Sequence, residues 1–318
     1  MRKTCLEMVY ELAKTDQRIF FIGSDLGVGT LKQFKQEMPE RFFMEGVSEA
    51  NMIGMAAGLA LEGKIVYANT IATFLTRRCF EQVALDLCLH NVRVRLIGNG
   101  GGLVYAPLGP THLAFEDMAI FRALPRMTIL APADANEMRR MMPLTVEHAG
   151  PIYIRIAKGG DPIVTNDVPF EIGKAYPMRQ GRDALIVSTG VMLKRALDAA
   201  ELLRAEGVEA SVLHVPTVKP LDAAAILEHA AAVPTIVTVE EHTIIGGLGS
   251  AVAELLAEAN FSASKRFKRI GIPDAFPDQY GSQDSLLARY DITGRNIVHT
   301  IQQLTNKKTR ESLQEQSF

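Results

Sequence analysis

Short apolar runs alternate with segments of helical periodicity along most of the chain, and this alternation limits the possible fold more than any other feature. Residues 4 to 14 place Leu6, Val9, Tyr10 and Leu12 at helical spacing, and the run Arg18-Ile19-Phe20-Phe21-Ile22-Gly23 follows. A helix and then a buried strand are expected. Ser24-Asp25-Leu26-Gly27 then reads as a loop at the carboxyl end of a parallel strand, where open α/β sheets place ligands. Further strands are expected at 65–68, 92–97, 127–130 and 152–155, with helices over 75–89, 114–123 and 134–147.

Periodicity fails over residues 157 to 173, where Gly159-Gly160-Asp161-Pro162 and Asn166-Asp167 mark a connection. A second alternation follows, with strands at 184–187, 210–215, 235–239 and 267–270 and helices near 191–206, 221–230, 247–259 and 293–304. A chain of 318 residues is too long for one ordinary domain and suits two. The expected fold is α/β, two consecutive α/β domains with mostly parallel sheets. The first spans 1–160, a linker 161–175 and the second 176–304, and the polar tail 305–318 is expected to fray.

Formal net charge is −2 and basic residues are scattered, which gives no footprint for nucleic acid or an anionic membrane. No stretch approaches the roughly 18 to 20 apolar residues of a spanning helix, and Met1 to Tyr10 lacks a signal-peptide core, so a soluble cytoplasmic protein is expected. Cys5, Cys79 and Cys88 are odd in number and widely spaced, which fits buried, reduced thiols rather than a disulfide framework or zinc site.

Three stretches could carry chemistry. In Phe43 to Ala60, a glycine and a serine close an extended run before a helix rich in small residues, with Glu49 at its opening. No further charge appears until Glu62, so the helix reads as buried, and a buried carboxylate must be neutralised, paired or used. The plain alternative is an acid favoured by the helix dipole. Gly98-Asn99-Gly100-Gly101-Gly102 follows a strand, where glycines allow close approach to a ligand or a sharp turn, and continues to Leu108-Gly109-Pro110-Thr111-His112. His112 could act as acid, base or donor, or be structural. Neither a GxGxxG fingerprint nor a Walker lysine accompanies these glycines. Thr70 to Arg78 sets Phe74 after a strand, as core or as a platform for a flat ring, with Arg77 and Arg78 needing an anion or solvent.

Together these segments resemble the transketolase family of thiamine-diphosphate enzymes, and in particular the free-standing C-terminal subunit of split transketolases. The resemblance covers nearly the whole chain. Gly46-Val47-Ser48-Glu49-Ala50-Asn51-Met52 resembles the family segment with the cofactor-activating glutamate, and Gly109-Pro110-Thr111-His112 its histidine motif. Ala131-Pro132-Ala133-Asp134-Ala135-Asn136-Glu137 matches a landmark at a strand end, and Glu240-Glu241-His242 through Gly249 resembles the start of the C-terminal domain. The resemblance implies that thiamine diphosphate supplies an ylid for carbonyl chemistry, positioned and tuned by the protein. Glu49 would then hydrogen-bond the aminopyrimidine ring, Phe74 would stack on it and Arg78 would lie near the same pocket. A carboxyl in an apolar pocket keeps its proton more readily, which such an exchange needs near neutral pH. His112 would face the substrate. Lys158 and Arg2 fall near phosphate-holding positions, with lysine losing the bidentate fork of an arginine.

Two departures bear on substrate. Pro107 and Leu108 stand where pentose-phosphate transketolases have an acidic pair, and Gly100 stands where they have a histidine. Loss of polar readers relaxes discrimination. The family holds its diphosphate through Mg2+ (or Ca2+) on a Gly-Asp-Gly segment, which this sequence lacks. The resemblance therefore implies an N-terminal transketolase subunit as partner, carrying the metal site, in a heterotetramer of two plus two chains. The leading expectation is transfer of a two-carbon ketol unit from a ketose donor to an aldehyde. Alternatives are pyruvate-decarboxylating acyl transfer of the deoxyxylulose-phosphate-synthase type, a 2-oxo-acid dehydrogenase beta subunit and a catalytically silent scaffold.

Overall fold

The structure is a computed structural model that describes residues 1–24, 29 and 31–305. Its strands are β1 (Ile19–Gly23), β2 (Phe42–Met44), β3 (Ile65–Ile71), β4 (Val94–Asn99), β5 (Thr128–Leu130), β6 (Ile152–Ile156), β7 (Tyr176–Arg179), β8 (Ala184–Ser188), β9 (Ala210–His214), β10 (Thr217–Lys219), β11 (Thr235–Thr243) and β12 (Arg266–Ile272). Among the described residues they form two sheets, ordered β10-β5-β6-β4-β3-β1-β2 and β12-β11-β8-β9-β7. All pairs are parallel except β10 with β5 and β7 with β9. Both edge pairings escape the sequence pattern, because Tyr176–Arg179 and Thr217–Lys219 are short and only partly apolar. The second has a consequence for the whole molecule: β10 leaves the second α/β unit and adds to the edge of the first sheet.

Side chains of the first sheet alternate between two cores, as strand geometry requires. Ile65, Tyr67 and Ile97 pack with Leu6 and Val9 of the helix Arg2–Thr15. Val66, Ala68 and Leu96 pack on the opposite face with Met52, Ile53 and Phe121. Each of these fully buried large apolar side chains contributes roughly 1.5–3 kcal/mol to folding.

Several expectations need correction. The helix Glu49–Leu61 is not buried all round: Met52, Ile53, Ala56 and Ala57 face the core, while Ala50, Asn51, Gly54, Gly58 and Leu61 face outward. The absence of charge misled because small and apolar residues occupy the exposed face as well. Residues 75–89 form two π-helical stretches, Phe74–Arg78 and Val83–Leu89, around the short α-turn Phe80–Gln82. The helix over 134–147 divides into Ala135–Met141 and Leu144–Glu147 at Pro143, whose ring and missing N–H prevent a continuous ladder. The helix expected from 114 starts at Asp117, because Ala114 bridges to Gly101 and Gly102 instead. Glu240-Glu241-His242 does not open a domain but lies within β11. The helices Lys32–Glu37 and Gln283–Arg289 carried no expectation. Of the loop read at Ser24 to Gly27, residues 25–27 lie outside the described residues, as does the tail from 306.

Candidate functional site

β1 is the strand at which the chain changes direction across the first sheet, since β2 pairs on one side of it and β3 on the other. A crevice forms at such a point beyond the carboxyl ends of the strands. Glu49 reaches this edge from the connection after β2, Phe74 from the end of β3 and Gly100 from the end of β4.

A buried polar layer supports the edge. Ser24 Oγ and Thr70 Oγ1 lie 2.8 Å apart, and Asn99 Nδ2 donates to Asn69 Oδ1 at 2.6 Å and to the Thr70 carbonyl at 2.9 Å. Glu45 and Gly46 donate their N–H groups to the carbonyls of Gly23 and Ser24, which extends the ladder of β2 almost to Glu49. Sequence reasoning missed Asn69 and Asn99 as site-builders. Their signal was available, as amides that interrupt fully buried apolar strands at the carboxyl end.

Glu49 is 5% exposed and accepts from Arg78 Nη1 at 3.2 Å. The wide i→i+5 turn of the π-segment brings Arg78 back over Phe74, with the guanidinium carbon 3.6 Å from the ring centroid. The ring of His112 lies 5.3 Å from that of Phe74, and Thr111 Oγ1 is 2.9 Å from His112 Nδ1. Glu49, Arg78, Phe74 and His112 thus form one contiguous group built from three separate segments.

The remaining expected residues are placed differently. Gly100 has φ +73°, and a Cβ there would come within 2.1 Å of the Tyr105 ring. Pro107 and Leu108 lie on an exposed 3-10 turn, Ala106–Leu108, five and four residues before His112. Lys158 is exposed two residues beyond β6, whose Ile156 carbonyl accepts from the N–H groups of Gly100 and Gly101. Arg2 is half-buried at the start of the first helix. Among the described residues, neither Arg2 nor Lys158 is joined to the Glu49 group by a hydrogen bond, ion pair or ring contact. Nor do those residues contain a cluster of three or more His, Cys, Asp or Glu side chains arranged to hold a metal.

The second unit grips the loop that carries His112. Thr243 N–H donates to the Phe115 carbonyl at 2.7 Å, and Leu103 N–H donates to Glu241 Oε1 at 2.7 Å. Arg155 donates to Asp117 at 2.8 Å and to the Glu241 carbonyl at 2.8 Å, and Tyr153 donates to Asp117 at 2.6 Å. Burial opposes the Arg155 charge, but the Asp117 carboxylate beside it holds the guanidinium above its ordinary value. Burial pushes the Glu241 carboxyl up to about 7 and the thiols of Cys5 and Cys79 up to about 12. All three cysteines are buried and free. No helix among the described residues is long and apolar enough to cross a membrane.

The chain matches two family profiles, "Transketolase, pyrimidine binding domain" over residues 1–160 and "Transketolase, C-terminal domain" over residues 173–297. It is 38% identical over 312 residues to a 6-deoxy-6-sulfo-D-fructose transketolase subunit of Clostridium sp. (strain MSTE9), covering 97% of this chain and 95% of that one. It is 35% identical over 309 residues to an apulose-4-phosphate transketolase subunit of Phocaeicola vulgatus, covering 96% of this chain and 97% of that one. Among solved structures, one described as a split gene transketolase, inactive beta4 tetramer, superposes with a TM-score of 0.86 at 36% identity, over 96% of this chain and 99% of that one.

Proposed function

From the fact that this chain belongs to the transketolase family, we propose that it is the C-terminal subunit of a two-chain, thiamine-diphosphate-dependent transketolase. It transfers a two-carbon ketol unit from a ketose to an aldehyde acceptor. The observation that carries this reading is the convergence of Glu49, Phe74 and His112 at the carboxyl edge of the first sheet.

These residues fit the pyrimidine end of the cofactor. Phe74 offers a half-buried ring with Arg78 over one face, and Glu49 a buried carboxylate, paired with Arg78, at the carboxyl edge of the sheet. When bound, the cofactor supplies the carbanion-stabilising chemistry that side chains lack. Glu49 would hydrogen-bond the ring through its buried carboxylate, while the Asn69–Asn99 amide layer holds the strand ends in place. His112, steadied by Thr111, hydrogen-bonds the substrate oxygen. Lys158 and Arg2 attract an anionic group on the sugar, a reading supported by the sulfonated and phosphorylated sugars in the names of the two relatives. Gly100, Pro107 and Leu108 leave the substrate mouth without the polar readers of pentose-phosphate members.

The diphosphate and its Mg2+ belong to an N-terminal partner subunit, in an assembly of two plus two chains working in the cytoplasm. Lack of a Gly-Asp-Gly segment supports this, as do the subunit names of the relatives. So does the surface running from Glu49. Val47 just before the helix Glu49–Leu61 and Leu61 at its end are exposed, Gly54 and Gly58 are open, and Phe80, Leu85 and Leu89 are exposed on segments packed against that helix, apolar surface suited to a second protein.

Titrating thiamine diphosphate and magnesium into the chain, with and without the N-terminal subunit, tests the proposal. Tight binding is expected only in the mixture. Glu49→Gln should slow ketol transfer on the order of 100-fold or more while leaving assembly intact. Tight magnesium-dependent binding by the chain alone, or a fully active Glu49→Gln complex, refutes it.

A further inference from the structure

The paired arginines after Phe74 point to opposite sides of the site. Arg78 turns to Glu49, whereas Arg77 turns to the loop that follows His112. Arg77 Nη2 donates to the Leu113 carbonyl at 3.2 Å, its Nε donates to Glu116 Oε1, and its guanidinium carbon lies 5.6 Å from the centroid of the Phe115 ring. One planar side chain therefore touches Leu113, Phe115 and Glu116, all within four residues of His112. Its side chain is only about one-third exposed, and that of Glu116 is 22% exposed.

Other ties hold this loop elsewhere. Ala114 exchanges backbone hydrogen bonds with Gly102 beyond β4, and the Phe115 carbonyl accepts from Thr243 of β11. Those ties run to β4 and to the second unit. The tie from Arg77 runs to the π-turn that carries Phe74, whose ring lies 5.3 Å from that of His112. We infer that Arg77 is a positioning residue, a fork that locks the His112 loop to the Phe74 turn and thereby aims the imidazole. The geometry requires arginine, because a lysine ammonium cannot span a carboxylate and a carbonyl with a rigid fork while lying over an aromatic ring.

The catalytic meaning of this fork rests on the role proposed above for His112. Its structural part is testable on the full chain alone, by NMR of the His112 imidazole C–H signals, assigned with His112→Gln. In the native chain the Phe74 ring should displace those signals from the free-imidazole position, and Phe74→Leu should abolish the displacement. Arg77→Met is expected to abolish most of it too, and Arg77→Lys to retain only part, with unchanged circular dichroism. Unchanged His112 signals in folded Arg77→Met overturn the inference. Should Arg77→Met fail to fold, Glu116→Gln removes the ionic arm of the fork, and unchanged His112 signals there overturn the inference equally. In the two-subunit complex with a ketose phosphate as donor, Arg77→Met should lower kcat about 10- to 100-fold with cofactor affinity unchanged. Full activity of His112→Gln overturns the role of His112. Impaired His112→Gln beside fully active Arg77→Met overturns the fork alone.

Discussion

Glu241→Gln probes the contact between the two α/β units, with a magnitude that follows from the structure. The Glu241 carboxylate accepts from Leu103 N–H at 2.7 Å and from Gln283 Nε2 at 2.9 Å, while Arg155 binds its backbone carbonyl. Burial raises the carboxyl from 4.5 to about 7, partly offset by Arg155. The folded chain therefore holds this proton more tightly than the unfolded chain does. Its stabilising contribution is complete below pH 4.5 and is lost as pH rises through about 7. A gap of this size corresponds to about 3 kcal/mol between the two ends of that window. Glutamine keeps an acceptor oxygen for Leu103, and rotation of the Gln283 amide restores a partner for its NH2 group, but it cannot ionise. Urea unfolding of both chains at pH 5 and pH 8 measures the difference. The stability of Glu241→Gln relative to the parent should rise by about 2 to 3 kcal/mol between those two pH values. Parallel pH profiles for the two chains would show that Glu241 does not carry the linkage and that the contact is hydrated.

Two further substitutions test the frame around the site. Asp134 caps the helix Ala135–Met141 through the N–H groups of Asn136 and Glu137 and also accepts from those of Val164 and Thr165. Asp134→Ala should therefore destabilise the chain by about 2 kcal/mol or more and loosen residues 160–166, read by denaturant midpoint and amide exchange. Gly100→Ala should cost about 1–3 kcal/mol, because its Cβ meets the Tyr105 ring at a positive φ. Pairing it with Tyr105→Ala should recover part of that loss, and a Gly100→Ala chain as stable as the parent would contradict the close approach.

Much of the frame was legible from local pattern. The apolar runs around β1, β3, β4, β6, β8, β9 and β11 stand out because strands buried on both faces read as continuous hydrophobic stretches. The edge strands β7 and β10 do not, since an edge is only partly covered and its residues stay mixed. The helix Glu49–Leu61 shows the converse error: its sequence looks buried, yet one face is open, because small residues and Leu61 stand on that face in place of the charges that would mark it as solvated. Glu240-Glu241-His242 was visible only as a family landmark. Its place within β11, fastening the two units together, depends on partners more than a hundred residues away, Leu103, Asp117 and Ala119.

The sequence by itself singled out Glu49, Phe74 and His112 only through the family resemblance, since each has a plain structural reading alone, but it determined the α/β class and the succession of two units. These follow from period, punctuation and residue chemistry, all of which are local. Only the tertiary structure decided that the three meet, since they come from the ends of different strands and are joined by the order in which the sheet is wound. It also divided Arg77 from Arg78. Adjacent in sequence and alike in chemistry, they are separated by a π-turn that sends one guanidinium to Glu49 and the other to the His112 loop.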